Sequence, residues 1–243
     1  MAPTPKLAYA QARLQARYGE RLAEPDWRRL EAARSPAHFL ELARSTGLAP
    51  WAARVAADMD PHAIERRLRA AWQDTVHEVA AWLPERWRGA VLLLAMLPEL
   101  PIRDYVARGQ PRPLWLDQDD ALREVRAAET RESAGETNVG RDWLARWRAL
   151  RPALPSAETK ALDGLALRFF ARFEVPNGGM PEFPYRPARS ALEFAALRAF
   201  RRHAGTPVAV FAYLLLATLD FERFRGALAE RKLFAAPDER SAA

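Results

Sequence analysis

The stretch that most limits how this chain folds is Thr206–Phe234, TPVAVFAYLLLATLDFERFRGALAERKLF. It opens with 13 almost uninterrupted apolar residues, Pro207–Leu219, then switches at Asp220 to acids and arginines interleaved with large apolar residues. Crossing a bilayer takes about 20 apolar residues, so a run this short belongs in a protein core and no direct membrane insertion is expected. The pattern predicts a buried helix feeding a separate charged, amphipathic helix. The charged half would present Asp220, Glu222, Arg223, Arg225, Glu230, Arg231 and Lys232 as a surface.

Elsewhere the apolar residues also recur at helical spacing, β-branched residues are few, and no hairpin dipeptide separates alternating runs. The expected class is all-α. A chain of 243 residues buries enough surface to fold without metals or disulfides. The absence of cysteine excludes thiol catalysis, iron–sulfur clusters and cysteine-type zinc sites, and suits a reducing compartment. The N-terminal residues lack the apolar core of a signal peptide, so a cytoplasmic location is expected.

Taken in order, Leu7, Ala10, Leu14 and Tyr18 predict a helix over about 6–18. Pro25 and Pro36 suit first helical turns, where a missing N–H costs nothing, and Ser35 is a cap. A short helix is expected over about 51–57. Asp60-Pro61 then starts the best-patterned helix, with Ile64, Leu68, Trp72, Val76, Val79 and Leu83 on one face. After Pro84 comes a buried helix through the apolar run Ala90–Leu97, and after Pro98 and Pro101 a short charged helix, Ile102–Arg108. Residues 111–142 read as a polar linker with an exposed helix over Asp117–Arg131 and a loop over 132–140. In the second half, helices are expected over Trp143–Leu150, after a Ser156 cap, and over Ala188–His203, with Val175–Pro187 as a Gly/Pro-rich loop. The organisation is therefore a first module, 1–110, the linker, and a second module, 143–243. Each module ends in a core helix followed by a charged one, LLLAMLPELPIRDYVARG and AYLLLATLDFERFRGALAERK, which suggests a quasi-repeat.

The net charge of +6 raises nucleic acid as a partner. Yet only three of the 37 basic residues are lysines, Lys6, Lys160 and Lys232, and the arginines are interleaved with acids rather than blocked. That is the composition of a solvated face in an arginine-biased chain, and no nucleic acid is expected. The four histidines, His38, His62, His77 and His203, show no metal-ligand spacing, and no phosphate-binding glycine loop is present. Neither metal nor cofactor is expected. Asp117, Asp119 and Asp120 form one acidic cluster, a pattern that can hold magnesium and a diphosphate, but acids at a helix start explain it as well. Most of the eight tryptophans share faces with Leu and Val, while Trp115 and Trp143 flank the linker and are expected to be more exposed. No catalytic set emerges. The alternatives to a non-enzymatic adaptor are an arginine-rich nucleic-acid binder and an all-α diphosphate enzyme using Asp117 and Asp120.

Certain short segments occur in a telling order. They are Tyr9-Ala10-x-Ala12-Arg13, then Leu30-Glu31-Ala32-Ala33-Arg34-Ser35-Pro36-x-x-Phe39-Leu40, then Leu83-Pro84-Glu85-Arg86 leading to Ile102-Arg103. The last runs from Pro207-Val208 through Ala212-Tyr213-Leu214 to Asp220, Phe224-Arg225 and Arg231-Lys232. In this order the chain resembles the C-subunit family of prokaryotic V-type and A-type ATPases, whose counterpart in the eukaryotic vacuolar ATPase is the d-subunit. Members of that family are helical funnels of three related modules, seated between the central rotor stalk and the membrane proteolipid ring. This chain looks like a shortened, two-module form, partly funnel-like. The resemblance implies a non-catalytic coupling subunit, cytoplasmic and peripheral on the inner membrane face, with the stalk proteins and the ring as partners. It implies structural roles for Tyr9, Arg13, Phe39, Tyr213, Asp220 and Phe224. Partner-contact candidates are Arg103, Arg108, Glu222, Arg223, Arg225 and Arg231. Asp220 stands four residues before Phe224, whereas Pro98, with Glu99 beside it, takes that place before Ile102, so a carboxylate–arginine pair on the helix surface is expected to be lost in the first module.

Overall fold

Proline and short polar side chains set most helix starts. The Ser35 hydroxyl accepts from the His38 N–H, and Asp60 accepts from the N–H groups of His62 and Ala63 at 2.9 and 3.1 Å, with a proline at the first turn in both cases. The computed structural model describes residues 5–111, 139–171 and 185–234. Its regular elements are all helical: α1 (Pro5–Gly19), α2 (Glu24–Glu31), α3 (Pro36–Arg44), α4 (Ala49–Ala52), α5 (Pro61–Ala81), α6 (Glu85–Leu92), a 3-10 segment (Leu93–Glu99), α7 (Leu100–Ala107), α8 (Val139–Leu150), α9 (Ser156–Phe170), α10 (Tyr185–Arg202) and α11 (Pro207–Phe234). The fold is all-α.

α11 organises the rest. Its 28 residues make a rod of about 42 Å, buried on every side from Pro207 to Phe221. It packs against α1, α3, α5, α9, α10 and the 3-10 segment. The chain enters it through a tight turn, in which Gly205 takes φ +79° and donates its N–H to Gln11 Oε1 of α1. Thr206 Oγ1 then accepts from the Val208 N–H. Buried residues from both ends of the sequence, among them Leu14, Phe39, Trp72, Phe200, Phe221 and Phe224, belong to one cluster. Residues 1–110 and 143–243 thus share a core through α11.

Several expectations need correction. The core and charged helices expected within 206–234 are one continuous helix, because no residue after Leu219 breaks the ladder and Asp220 itself turns inward. The apolar run Ala90–Leu97 is not a single buried α-helix: α6 ends at Leu92 and the chain tightens to 3-10. Pro98 has no N–H to give the Leu94 carbonyl, and its ring crowds that oxygen. The Trp72 indole supplies the missing donor, reaching Leu94 O at 3.0 Å, and the Trp143 indole reaches Leu93 O at 3.2 Å. The first half therefore ends in a 3-10 turn and a short helix where the second ends in one long rod, so the quasi-repeat in sequence is not matched in local structure.

Trp143, expected to be exposed, is buried and stacks on Trp147 with centroids 6.1 Å apart. Ser156 is the first residue of α9 and gives no side-chain cap; Pro155 precedes it. The short helix near 51–57 lies earlier, over Ala49–Ala52. Residues 139–142 belong to α8 rather than to a linker, and residues 185–187 to α10 rather than to a loop. Trp115, Asp117, Asp119 and Asp120 lie outside the described residues, as do most of the expected linker and the loop 175–184.

Candidate functional site

Tyr213, Ala217, Asp220 and Phe224 follow one another at spacings of four, three and four, so they share one face of α11, and all four are buried. Asp220 survives there because Arg21, just past the end of α1, meets it with two charge-assisted hydrogen bonds, Nε–Oδ2 at 2.6 Å and Nη2–Oδ1 at 2.9 Å. Arg21 also reaches Glu193 of α10 at 3.1 Å, which ties three helices at one point. Burial pushes the Asp220 carboxyl upward against the pull of Arg21. Burial works against the Arg21 guanidinium as well, but its bonds to Asp220 and Glu193 outweigh that and shift it further up. The neighbouring Tyr213 hydroxyl is pushed up to about 12, mainly by burial, with Arg17 pulling the other way.

One turn on, Phe224 stacks on Phe39 of α3 with centroids 5.5 Å apart, and Phe221 lies edge-on to Trp51 at 5.2 Å. The charged end of α11 then folds its cations back onto the protein. Arg223 grips Glu24 at 2.7 Å and Glu31 at 2.8 Å on α2 and lies over Trp27. Arg231 is buried over Phe39 and donates to the carbonyls of Ala33, Glu31 and Ala227. Arg225 pairs with Glu65 of α5 at 2.9 Å, and Lys232 donates to Ala57 O. The stretch read as a surface is therefore in large part a fastener: Asp220 and Arg231 are buried, Glu222, Arg223, Arg225 and Lys232 half-buried, and Glu230 exposed. The cause is reach, because a long guanidinium can bury its stem and still find acceptors on the next helix.

The other sequence-predicted residues are dispersed. Arg103 pairs with buried Glu99 at 2.8 Å, and Arg108 pairs with Asp104 on the same short helix. The carboxylate–arginine pair expected to be missing from the first module is present there, and it is Asp220 that leaves its own helix to bind Arg21. Tyr9 is exposed, and Arg13 lies over the Trp82 ring with Glu78 at 3.7 Å. Sequence reasoning missed Arg21, Arg17, Glu78 and Trp82. Arg17 also lies over Trp82 and bonds Glu78 at 2.6 Å. No local pattern marks Arg21, whose partner Asp220 lies 199 positions away.

Two clefts adjoin this framework. An apolar one of about 40 Å³ is lined by Leu94, Trp143, Trp147, Phe169, Phe211 and Leu215, too small for an aromatic ring. A polar one of about 380 Å³ lies between the end of α1, α2 and the turn after α3, where Gly47 lets that turn close on the Glu20 carbonyl. Its guanidiniums, Arg21 and Arg29, already hold Asp220 and Asp26. Among the described residues, no three His, Asp or Glu side chains are grouped to hold a metal, and no helix is long and apolar enough to cross a membrane. What the arrangement offers is a stiff, cross-linked rod. No protein-family model, no curated protein and no solved structure matches the chain.

Proposed function

We propose that this chain is a non-catalytic coupling subunit of a bacterial V-type ATPase, linking the central rotor stalk to the membrane proteolipid ring and supporting rotary ion transport. The observation that favours this reading is the convergence of the residues that carry the family resemblance. Tyr213, Asp220, Phe224 and Arg231 all lie along α11, and Phe39, from a segment some 170 positions earlier, stacks on Phe224 and lies beneath Arg231. A part that passes torque must resist shear between its helices. Here the 28-residue rod is pinned to α1 and α10 through Arg21, to α2 through Arg223, to the turn between α2 and α3 through Arg231 and to α5 through Arg225.

The test is functional. Membranes prepared without the chain should hydrolyse ATP but fail to move ions in step with hydrolysis, and adding the purified chain back should restore coupling. Ion transport that is unaffected by its loss would rule the assignment out.

A further inference from the structure

We infer that the outer face of α10 is a docking surface for a helix of an acidic partner protein. This stands apart from the function proposed above. α10 buries Leu192, Ala196 and Phe200 toward α11 and Tyr18, which fixes the helix in place. Its opposite face carries Ala191, Phe194, Arg198 and Arg201 at spacings of three, four and three, with Ala188 and Arg202 alongside, all of them exposed. These positions fall on one stripe of the helix, about one turn apart, along which a second helix can lie. Phe194 is 62% exposed, the largest solvent exposure of any aromatic ring in the interior of a described helix, and Arg198 lies over it at 5.8 Å.

Charge selects the occupant. Most of the arginines along α11 and α1 are held by acids or carbonyls, but Arg198, Arg201 and Arg202 make no ion pair among the described residues. The only acid on α10, Glu193, is taken by Arg21. The face therefore presents one aromatic knob and three uncompensated guanidiniums over about 15 Å of rigid helix. A bilayer is a poorer fit: three arginines near an anionic surface contribute about 3 kcal/mol, and one phenyl ring adds little depth, which leaves only marginal binding. A helix with apolar residues at its seam and glutamates beside it satisfies both features at once, since guanidinium and carboxylate pair in a bidentate fork.

The experiment uses the full-length chain and a fluorescently labelled 21-residue helical peptide with leucines at its seam and glutamates flanking them. Fluorescence anisotropy should show binding that weakens with salt. Arg198→Glu/Arg201→Glu and Phe194→Ala should each lower the affinity at least about tenfold with an unchanged circular dichroism spectrum. Arg66→Glu/Arg67→Glu, on the exposed face of α5, should leave it unchanged. Equal losses in the α5 and α10 variants would overturn the inference, and so would an absence of peptide binding. Binding only to phosphatidylglycerol vesicles or to single-stranded DNA would overturn it too.

Discussion

Replacing Arg21 by methionine and Asp220 by leucine, singly and together, probes the contact that joins the two ends of the chain. The Asp220 side chain is 8% exposed and that of Arg21 15%. With charge centres about 4 Å apart and an effective dielectric of about 20, their attraction is about 4 kcal/mol, and removing one partner of a buried pair costs about 3–5 kcal/mol. The two single losses differ in kind. Asp220→Leu strands a guanidinium that cannot give up its proton, although Glu193 remains beside it, so the cost is about 3 kcal/mol and nearly independent of pH. Arg21→Met strands a carboxyl that burial already pushes upward, and this group escapes by taking up a proton. Its folded value then lies above its unfolded one, so the folded state binds the extra proton and stability rises as pH falls from neutral toward the ordinary carboxylate range. The double variant should lie within about 1 kcal/mol of the parent, because no buried charge is left unpaired by it: Glu193 also loses Arg21, but its side chain is 42% exposed and water takes the place of the guanidinium. Urea unfolding followed by tryptophan fluorescence at pH 5 and pH 8 reads all four proteins. Single variants within about 0.5 kcal/mol of the parent, or an Arg21→Met protein without this pH dependence, would refute the reasoning.

Phe39→Ala and Phe224→Ala should each cost about 3–5 kcal/mol by emptying the core beside α11, and together less than the sum because the rings touch, as a denaturation cycle will show. At Gly47 a Cβ would sit 2.2 Å from the Glu20 carbonyl oxygen, so Gly47→Ala should destabilise by about 1–3 kcal/mol and lower the melting temperature. The Glu24 carboxyl is held below the usual range by its hydrogen bonds to Arg223. Its contribution is present above the unfolded value and lost as pH falls through the folded one; with the side chain 55% exposed it stays below about 1 kcal/mol, and Glu24→Gln should remove that part of the acid sensitivity in a pH series of melts.

Much of the fold is legible in the sequence because helix starts are local. Ser35 and Asp60 cap as their spacing predicts, and the inward faces of α1 and α5 follow from periodicity alone. The misreadings at Asp220, Arg231 and Trp143 share one cause, long-range pairing. Asp220 reads as the start of a surface helix because its partner, Arg21, comes from the other end of the chain, and Arg231 reads as exposed because its acceptors are backbone carbonyls near Ala33. Trp143 reads as exposed because it flanks the linker, whereas its acceptor, Leu93 O, lies 50 positions away. Charge patterning reports what a residue is, but not which distant group will neutralise it. The outer face of α10 escaped notice for the converse reason, as one more arginine-rich stretch among many.

The most direct test of the coupling role is affinity purification of the tagged chain from gently solubilised native membranes, followed by mass spectrometry of the intact assembly. A coupling role predicts that the proteolipid ring and the central-stalk proteins elute with it in fixed ratio, and clean recovery as a free monomer with neither would contradict it.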